Sequence, residues 1–314
     1  RELKIPVSYL DLKHFFTSVP LEDRDGNATL WETALYSDSE MKELNEGLTE
    51  IYSILNSDGL ALVDHLSVAR IDYCSFGNSH PFRVKIINQL NDNYDYFYVK
   101  KVDASRIYGL ELEHILSPNK INYFMYKDTI IEEHIVGIPG DQFTQENLQQ
   151  EGHNEVRLAK EFVKFNERCF ILLLGDMRSY NFVVDMTPDF DQVQYRIRAI
   201  DFDQQCFEGR KNIYFPQYYK ENSPYVELAM KHLAPEAVEQ YKLEERALMA
   251  KRLRLAQYQI KKLMTAMVQD ELSLPKHISK LKKDLAKHYN NKSFLNCTSM
   301  GAIVLACLNM VRSN

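Results

Sequence analysis

The spacing of apolar and polar residues divides the first 134 residues into one helix followed by a block of strands. Apolar side chains recur at helical spacing between Asp38 and Leu55, which predicts an amphipathic helix closed by a turn at Asp58-Gly59. Short runs rich in β-branched and aromatic residues follow, separated by turns containing Asn, Ser and Gly. These runs predict strands over Val68–Cys74, Phe82–Ile87, Tyr94–Val102, Ile121–Tyr126 and Thr129–His134.

One predicted helix, Ser105–Leu116, interrupts the strands and gives the order β-β-β-α-β-β. Its N-cap is Asp103 or Ser105. A projection at roughly 100° per residue places Glu111 within the apolar face and Glu113 on the far side. A carboxylate among apolar neighbours is unfavourable unless it is paired. We therefore expect Glu111 to form an ion pair.

The remaining chain is mostly helical in pattern, with one predicted hairpin. A helical segment, Asn154–Asn166, is followed by an apolar run, Cys169–Leu174, that is typical of a strand. Two strands, Phe182–Asp185 and Gln194–Ile200, then predict a hairpin. A late apolar stretch, Met300–Val311, predicts a buried helix, because crossing a bilayer takes about 20 residues.

Composition is that of an ordinary globular protein. The chain has 314 residues, 45% of them hydrophobic and 26% charged, which is enough for one large domain or two lobes. With 38 basic against 44 acidic residues, no positive surplus exists to neutralise a phosphate backbone, so we expect no nucleic-acid partner. Five scattered cysteines without a CxxC motif indicate neither disulfides nor zinc. We therefore expect a reducing, cytoplasmic setting. We also expect no membrane partner.

Two short segments carry side chains suited to phosphoryl transfer. That reaction needs metal ions against the phosphates, a carboxylate that orients the attacking hydroxyl, and a cation on the phosphates. A loop after the apolar run, Gly175-Asp176-Met-Arg-Ser-Tyr-Asn181, spaces an aspartate and an asparagine five residues apart. A second carboxylate arrives at the end of the next hairpin, in Ile200-Asp201-Phe202-Asp203. Together they predict a site that binds metal and phosphate.

This arrangement resembles the protein-kinase-like superfamily, and is most similar to aminoglycoside phosphotransferase-like and related small-molecule kinases. Their loop reads His-Gly-Asp-x4-Asn, and their metal strand often ends in Ile-Asp-aromatic. The resemblance implies that Asp176 is the catalytic carboxylate and that Asn181 and Asp201 bind metal. It also implies that Arg178 contacts phosphate, where protein kinases often place a Lys. Asp203 replaces the Gly of the usual Asp-Phe-Gly and offers an additional metal ligand.

One further departure is Leu174, which replaces the His of the family motif. Upstream, Tyr96-Phe-Tyr-Val-Lys100-Lys101 is similar to the kinase strand whose lysine binds the phosphates of ATP. Matching the family pattern favours Lys100 over Lys101, with Glu111 as its ion-pair partner. The adenine-binding hinge would run from Glu133 through Ile135 to Gly137. The turn Ser75–Ser79 has one Gly rather than the three of protein kinases, and on its own it is no evidence for a phosphate loop.

Together these features predict an α+β protein with a two-lobed protein-kinase-like fold. We expect a helical extension (residues 1–60), a small antiparallel sheet with one key helix (61–135) and a mostly helical lobe (136–314). The expected activity is ATP- and Mg²⁺-dependent phosphorylation of a small-molecule hydroxyl. A protein kinase and an inactive pseudokinase scaffold are the alternatives. The aromatic cluster Tyr214–Tyr219 would either line the acceptor pocket or pack within the helical lobe.

Overall fold

The computed structural model of the chain is a mixed α+β protein that separates into two compact units. The structure describes residues 2–23, 26–57, 65–76, 79–148, 153–190 and 192–313. A sheet unit comprises Arg1–Val102 and Ile121–His134, and a helical unit comprises Asp103–Lys120 and Ile135–Asn314.

An antiparallel sheet forms the body of the sheet unit. Its strands, in spatial order β1-β2-β3-β4-β5-β7-β6, are β1 (Thr17–Glu22), β2 (Ala28–Leu35), β3 (Leu66–Cys74), β4 (Phe82–Asn88), β5 (Tyr94–Lys101), β6 (Tyr123–Tyr126) and β7 (Thr129–Glu133). Two helices, α1 (Tyr9–Leu12) and α2 (Asp38–Ser57), contribute Leu12, Leu48 and Ile51 to a core shared with the strands. Burying such side chains contributes roughly 1.5–3 kcal/mol each.

Comparison with the predicted elements shows that three elements of this unit, α1, β1 and β2, were not predicted. The helix from Asp38 and the five predicted strands are confirmed, each within about three residues. The expectation that residues 1–60 form only a helical extension is wrong, because β1 and β2 join the sheet. The predicted turn at Asp58-Gly59, and Gly77 and Asn78 of the predicted phosphate-loop turn, lie outside the described residues.

Helices dominate the second unit. They are α3 (Ala104–Leu116), α4 (Gly140–Gln142), α5 (Glu155–Leu172), α6 (Ser223–His232), α7 (Pro235–Leu255), α8 (Gln257–Gln269), α9 (Pro275–His288) and α10 (Met300–Ser313). A small antiparallel sheet, β8 (Ile138–Pro139), β9 (Phe182–Asp189) and β10 (Gln192–Ala199), contains the predicted hairpin. The core gathers apolar side chains of α3, α5 and α7–α10, and α10 confirms the predicted buried helix.

The predicted strand over Cys169–Leu174 is wrong, because α5 continues through this run to Leu172. Every side chain from Cys169 to Leu174 is buried. When a helix end is buried on all sides, its sequence is continuously apolar. The periodicity of such a sequence does not distinguish a helix from a buried strand. Leu173 ends the helix in the left-handed region, at φ 55°. The chain then enters the loop that begins at Gly175.

A buried ion network links α3, α5 and α7. Arg168 donates from Nη1 to Oε1 of Glu245 at 3.0 Å, and its Nε lies 3.9 Å from Oε1 of Glu113. All three side chains are 5% exposed or less. The expectation that Glu113 faces away from the apolar side of α3 is therefore wrong, since the helix is buried on more than one face. Within the described residues, no helix is both long enough and apolar enough to cross a membrane.

Candidate functional site

The loop from Gly175 to Asn181 begins where α5 ends and is packed against later segments of the helical unit. A Cβ atom added at Gly175 would lie 3.0 Å from the carbonyl oxygen of Gln204 and 3.1 Å from Cγ2 of Ile213. Glycine therefore permits this close approach. Asp176 follows with φ 55°, an uncommon conformation for a residue with a side chain.

Asn181 joins this loop to the strand end that carries Asp201. Its Nδ2 donates to the backbone oxygen of Asp176 at 2.7 Å, and its own backbone oxygen accepts from the N–H of Ile200 at 3.0 Å. The amide NH₂ group is thus committed to the loop. Among the described residues no hydrogen bond reaches Asn181 Oδ1. The structure therefore brings the loop against the strand end. The predicted convergence of the Asp176, Asn181 and Asp201 side-chain oxygens on a metal stays a prediction.

The two aspartates of the strand end bind a guanidinium that the sequence analysis did not identify. Arg106 of α3, whose side chain is 1% exposed, donates from Nη2 to Oδ1 of Asp201 at 3.0 Å and also to Oδ1 of Asp203. Gly109, one turn along α3, lies so close to Phe202 that a Cβ atom there would be 3.0 Å from the Phe202 Cβ. This close packing brings α3, and with it Arg106, against the aspartates.

Arg178 binds carboxylates on both sides. Its Nε donates to Oδ1 of Asp176 at 2.9 Å, and its Nη1 donates to Oε1 of Glu221 at 2.7 Å. Its guanidinium also lies over the ring of Tyr219, 4.9 Å from the ring centre. These contacts hold the Asp176 carboxylate beside a positive charge. The predicted contact of Arg178 with phosphate stays a prediction.

The aromatic cluster after the strand end is partly packed and partly exposed. Tyr214 is fully buried, whereas Tyr218 is more than half exposed. The Tyr219 hydroxyl accepts from the N–H of Asp176 at 3.0 Å and donates to the carbonyl oxygen of Ile213 at 2.8 Å. Burial, together with the charge of Asp176, raises the pKa of Tyr219 above its usual value. Tyr219 is therefore a neutral phenol that supports the loop.

The oxygen atoms of this site suit Mg²⁺. Asp201 Oδ2 and Asn181 Oδ1 accept no hydrogen bond from any residue that the structure describes, whereas Asp201 Oδ1 accepts from Arg106 and from the N–H of Asp203. Mg²⁺ prefers oxygen ligands, and is usually held by one or two carboxylates together with substrate phosphates and water. No group of three or more His, Cys, Asp or Glu side chains in the described ranges is arranged to hold a metal ion. These oxygens are of the chemical type that Mg²⁺ prefers, and the metal-binding roles of Asn181, Asp201 and Asp203 stay predictions.

In the sheet unit, Lys100 is 7% exposed and Lys101 is exposed. The Lys100 Nζ lies 2.7 Å from Oε2 of Glu132 on the neighbouring strand β7. This is a buried ion pair, which the sequence analysis did not anticipate. In the helical unit, Glu111 lies half-buried on α3. The roles of Lys100 as phosphate ligand and of Glu111 as its partner stay predictions.

The predicted hinge residues lie at the end of β7 and just after it. Glu133 is the last residue of β7 and is opposite Phe97 on β5. His134 follows, with its Nδ1 3.3 Å from the Tyr98 hydroxyl. Burial lowers the pKa of His134 below its usual value of 6.5; the charge of Asp95 raises this pKa to a smaller extent, and the charge of Arg83 lowers it. Ile135 is buried in the helical unit. The adenine-binding role of Glu133 and Ile135 stays a prediction.

Comparisons with known proteins identify no family for this chain. No family model matches it, and no curated protein matches it. A solved structure of titin kinase and its flanking domains is similar at 13% sequence identity and a TM-score of 0.29. The match covers 76% of this chain and 53% of that one, so the chain spans about half the length of that structure. At this score the similarity carries no argument about fold or function.

Proposed function

We propose that this protein is a kinase-like phosphotransferase that moves the γ-phosphoryl group of ATP to a hydroxyl group of a small molecule. The observation that carries the proposal is the pair of hydrogen bonds made by Asn181. One reaches the backbone of Asp176 and the other comes from Ile200, which immediately precedes Asp201. Asn181 thus joins the backbone of the Asp176 loop to the strand end of Asp201, and these two segments carry the carboxylates to which we assign the acceptor-orienting and metal-binding roles.

The order of elements supports a kinase-like fold. Strands β3, β4 and β5 precede α3, and β6 and β7 follow it. The helical segment then leads through a loop with an aspartate and an asparagine into the hairpin β9–β10, which ends before Asp201. This is the order that the resemblance implies.

In the proposed reaction, Asp176 orients the acceptor hydroxyl, and Asn181 and Asp201 hold Mg²⁺. When bound, Mg²⁺ supplies positive charge against the transferring phosphoryl group. Arg178 keeps the Asp176 carboxylate in place through the hydrogen bond at 2.9 Å. Arg106 holds Oδ1 of Asp201, so that Oδ2 is the oxygen left for the metal.

The test is the consumption of ATP over a panel of small hydroxyl compounds and generic protein acceptors, with two variants. Asp201→Asn should abolish transfer and weaken Mg²⁺-dependent ATP binding. Asp176→Asn should lower turnover while leaving ATP affinity nearly unchanged, because that carboxylate acts on the acceptor. Asp189→Asn, at the exposed tip of the same hairpin, is the charge-matched control. Transfer at the wild-type rate by Asp201→Asn would refute these roles, and transfer to protein alone would favour a protein kinase.

A pseudokinase is the second candidate, and Arg106 is the observation that favours it. Its guanidinium binds both aspartates of the strand end, where metal ions would otherwise supply positive charge. A pseudokinase shows no transfer with any acceptor, and neither aspartate variant changes a rate. Thermal-shift titration with ATP, with and without Mg²⁺, separates the two candidates, since a ligand at 100 times its Kd stabilises the native state by about 2.7 kcal/mol. A Mg²⁺-independent shift, or none, favours the pseudokinase.

A further inference from the structure

A pocket of about 830 Å³ lies within the helical unit, between the segment after the strand end and α9. This volume is in the range of small-molecule sites, roughly 300–1,000 Å³. Most of its charged lining is basic. The charged and titratable residues that line it are Arg210, Lys211, Lys280, Lys287, Asp284 and His288.

The positive charge of the pocket contrasts with the rest of the protein. Four permanent cations face a single carboxylate there, whereas the whole chain has a net charge of -6. Among the described residues, none of these four cations forms an ion pair or a side-chain hydrogen bond. On α9, Lys280, Asp284 and Lys287 are spaced four and three residues apart, which places them on one helix face. Unpaired cations around a concave surface concentrate positive potential and attract anions.

The lowered pKa of His288 agrees with this distribution of charge. Burial lowers its pKa below the usual 6.5, and the positive charges of Lys211, Arg246 and Lys242 lower it further. The imidazole is therefore neutral at pH 7. A neutral ring does not compensate the neighbouring cations, so the pocket keeps its positive charge.

One wall of the pocket is bonded to the loop that carries Asp176. Tyr219 and Ile213 both line the pocket, and the Tyr219 hydroxyl bridges the Asp176 N–H and the Ile213 carbonyl oxygen. The ring of Tyr218 also lines the pocket and is exposed there. A ligand held by the cations would thus rest against aromatic rings, one of which is hydrogen-bonded to the backbone of Asp176.

We propose that this pocket binds the acceptor, and that the acceptor is a small molecule carrying a phosphate group in addition to its hydroxyl. This rests on the proposed function. Phosphate is favoured because its three oxygens can accept from several ammonium and guanidinium groups at once. The exposed Tyr218 ring suits the apolar face of a sugar or base. Cationic acceptors such as aminoglycosides are excluded, because they would meet charges of the same sign.

Binding is measured by calorimetry without ATP, using matched probes. Glucose 6-phosphate and adenosine monophosphate are compared with glucose and adenosine, with inorganic pyrophosphate as the anion alone and kanamycin as the cation. We expect saturable binding of at least one phosphorylated probe at millimolar concentration or below, and no binding of the uncharged partners or of kanamycin. Absence of saturable binding by every phosphorylated probe would overturn the proposal.

Charge reversal locates the site. Lys211→Glu and Lys287→Glu should each weaken binding of the phosphorylated probe by about tenfold or more, which corresponds to about 1.4 kcal/mol. Asp284→Asn should strengthen it. Lys283→Glu, on an exposed part of α9 outside the lining, is the matched control and should leave the affinity unchanged. Equal effects of Lys283→Glu and Lys287→Glu would overturn the proposal, as would tighter binding of a single-stranded oligonucleotide than of any small probe.

The proposal and the catalytic roles fail separately. Asp201→Asn should bind the phosphorylated probe as the wild type does, because Asp201 is not part of the pocket lining. If probe binding depends on Lys211 but no ATP is turned over, the pocket proposal is supported and the proposed phosphotransferase activity is refuted. Turnover of an uncharged acceptor that is unaffected by Lys211→Glu removes the pocket proposal alone.

Discussion

Replacing Arg106 with methionine tests whether its guanidinium neutralises the two aspartates of the strand end. The substitution keeps a long, flexible side chain and removes the charge. Because the Arg106 side chain is 1% exposed, the methionine would occupy its place, and Asp201 and Asp203 would be left close together without their shared cation. We expect the helical unit to lose stability.

The size of the loss follows from the burial of the partners. Removing one member of a buried ion pair costs about 3–5 kcal/mol when the remaining charge stays buried. Here Asp201 and Asp203 are 31% and 20% exposed, so water can partly solvate them after the change. We therefore expect Arg106→Met to lower the free energy of unfolding by about 2–3 kcal/mol, below the fully buried value. Arg106→Lys, which keeps the charge but not the planar fork, should lose less.

Urea unfolding measures this loss with and without Mg²⁺. In Arg106→Met the aspartates lack the Arg106 guanidinium, so saturating Mg²⁺ should restore part of the lost stability. The wild type should gain less stability from Mg²⁺. The double variant Arg106→Met, Asp201→Asn should lose less than the sum of the single changes, because the two residues interact directly. A loss below about 0.5 kcal/mol, the level of ordinary surface substitutions, would refute the reasoning. Additivity in the double variant would refute it independently.

Three further predictions concern stability. Arg168→Met should cost about 3–5 kcal/mol in urea unfolding, because Glu245 stays buried without its cation; a near-neutral change would contradict this. The pKa of His134 is lowered in the folded state, so this residue contributes to folding stability only while its imidazole is neutral. The contribution is complete above pH 6.5 and is lost as the pH falls below that value. His134→Gln should therefore flatten the stability profile between about pH 7 and pH 5, and an unchanged slope counts against it. Gly109→Ala should destabilise despite a helix-propensity gain of about 1 kcal/mol, because its Cβ would meet Phe202 at 3.0 Å; a more stable variant would exclude the steric argument.

Much of the sheet was predictable because its central strands are buried on alternate positions. Strand β4 alternates fully and half-buried side chains, the pattern that the sequence shows. Strand β1 has mostly exposed side chains and contains Pro20, so its apolar signal is weak and its proline argues against a strand. The prediction of a strand over Cys169–Leu174 was wrong for the opposite reason, since complete burial removes the periodicity that distinguishes helix from strand.

The candidate site was partly predictable, because Asp176 and Asn181 are spaced by a short loop that leaves a signal in the sequence. Arg106 was not found, since its partner Asp201 lies 95 positions later. Arg106 is seven residues before Glu113, so the helical projection puts both on the side of α3 away from its apolar face, where a charged residue needs no buried partner. The burial of that side is evident only in the structure.

Strand β1 closes one end of the sheet, and it is ill-suited to pairing with another chain. Pro20 has no N–H to donate, and the register of β1 against β2 shifts between Pro20 and Glu22. Such irregular edge strands protect natural sheets from pairing edge to edge with other chains. A shortened chain beginning at Asp38 would instead present β3, nine residues long and free of proline, as the outer strand. Loss of the first hairpin would therefore favour self-association of the protein at high concentration, through edge-to-edge pairing of β3 strands from different molecules.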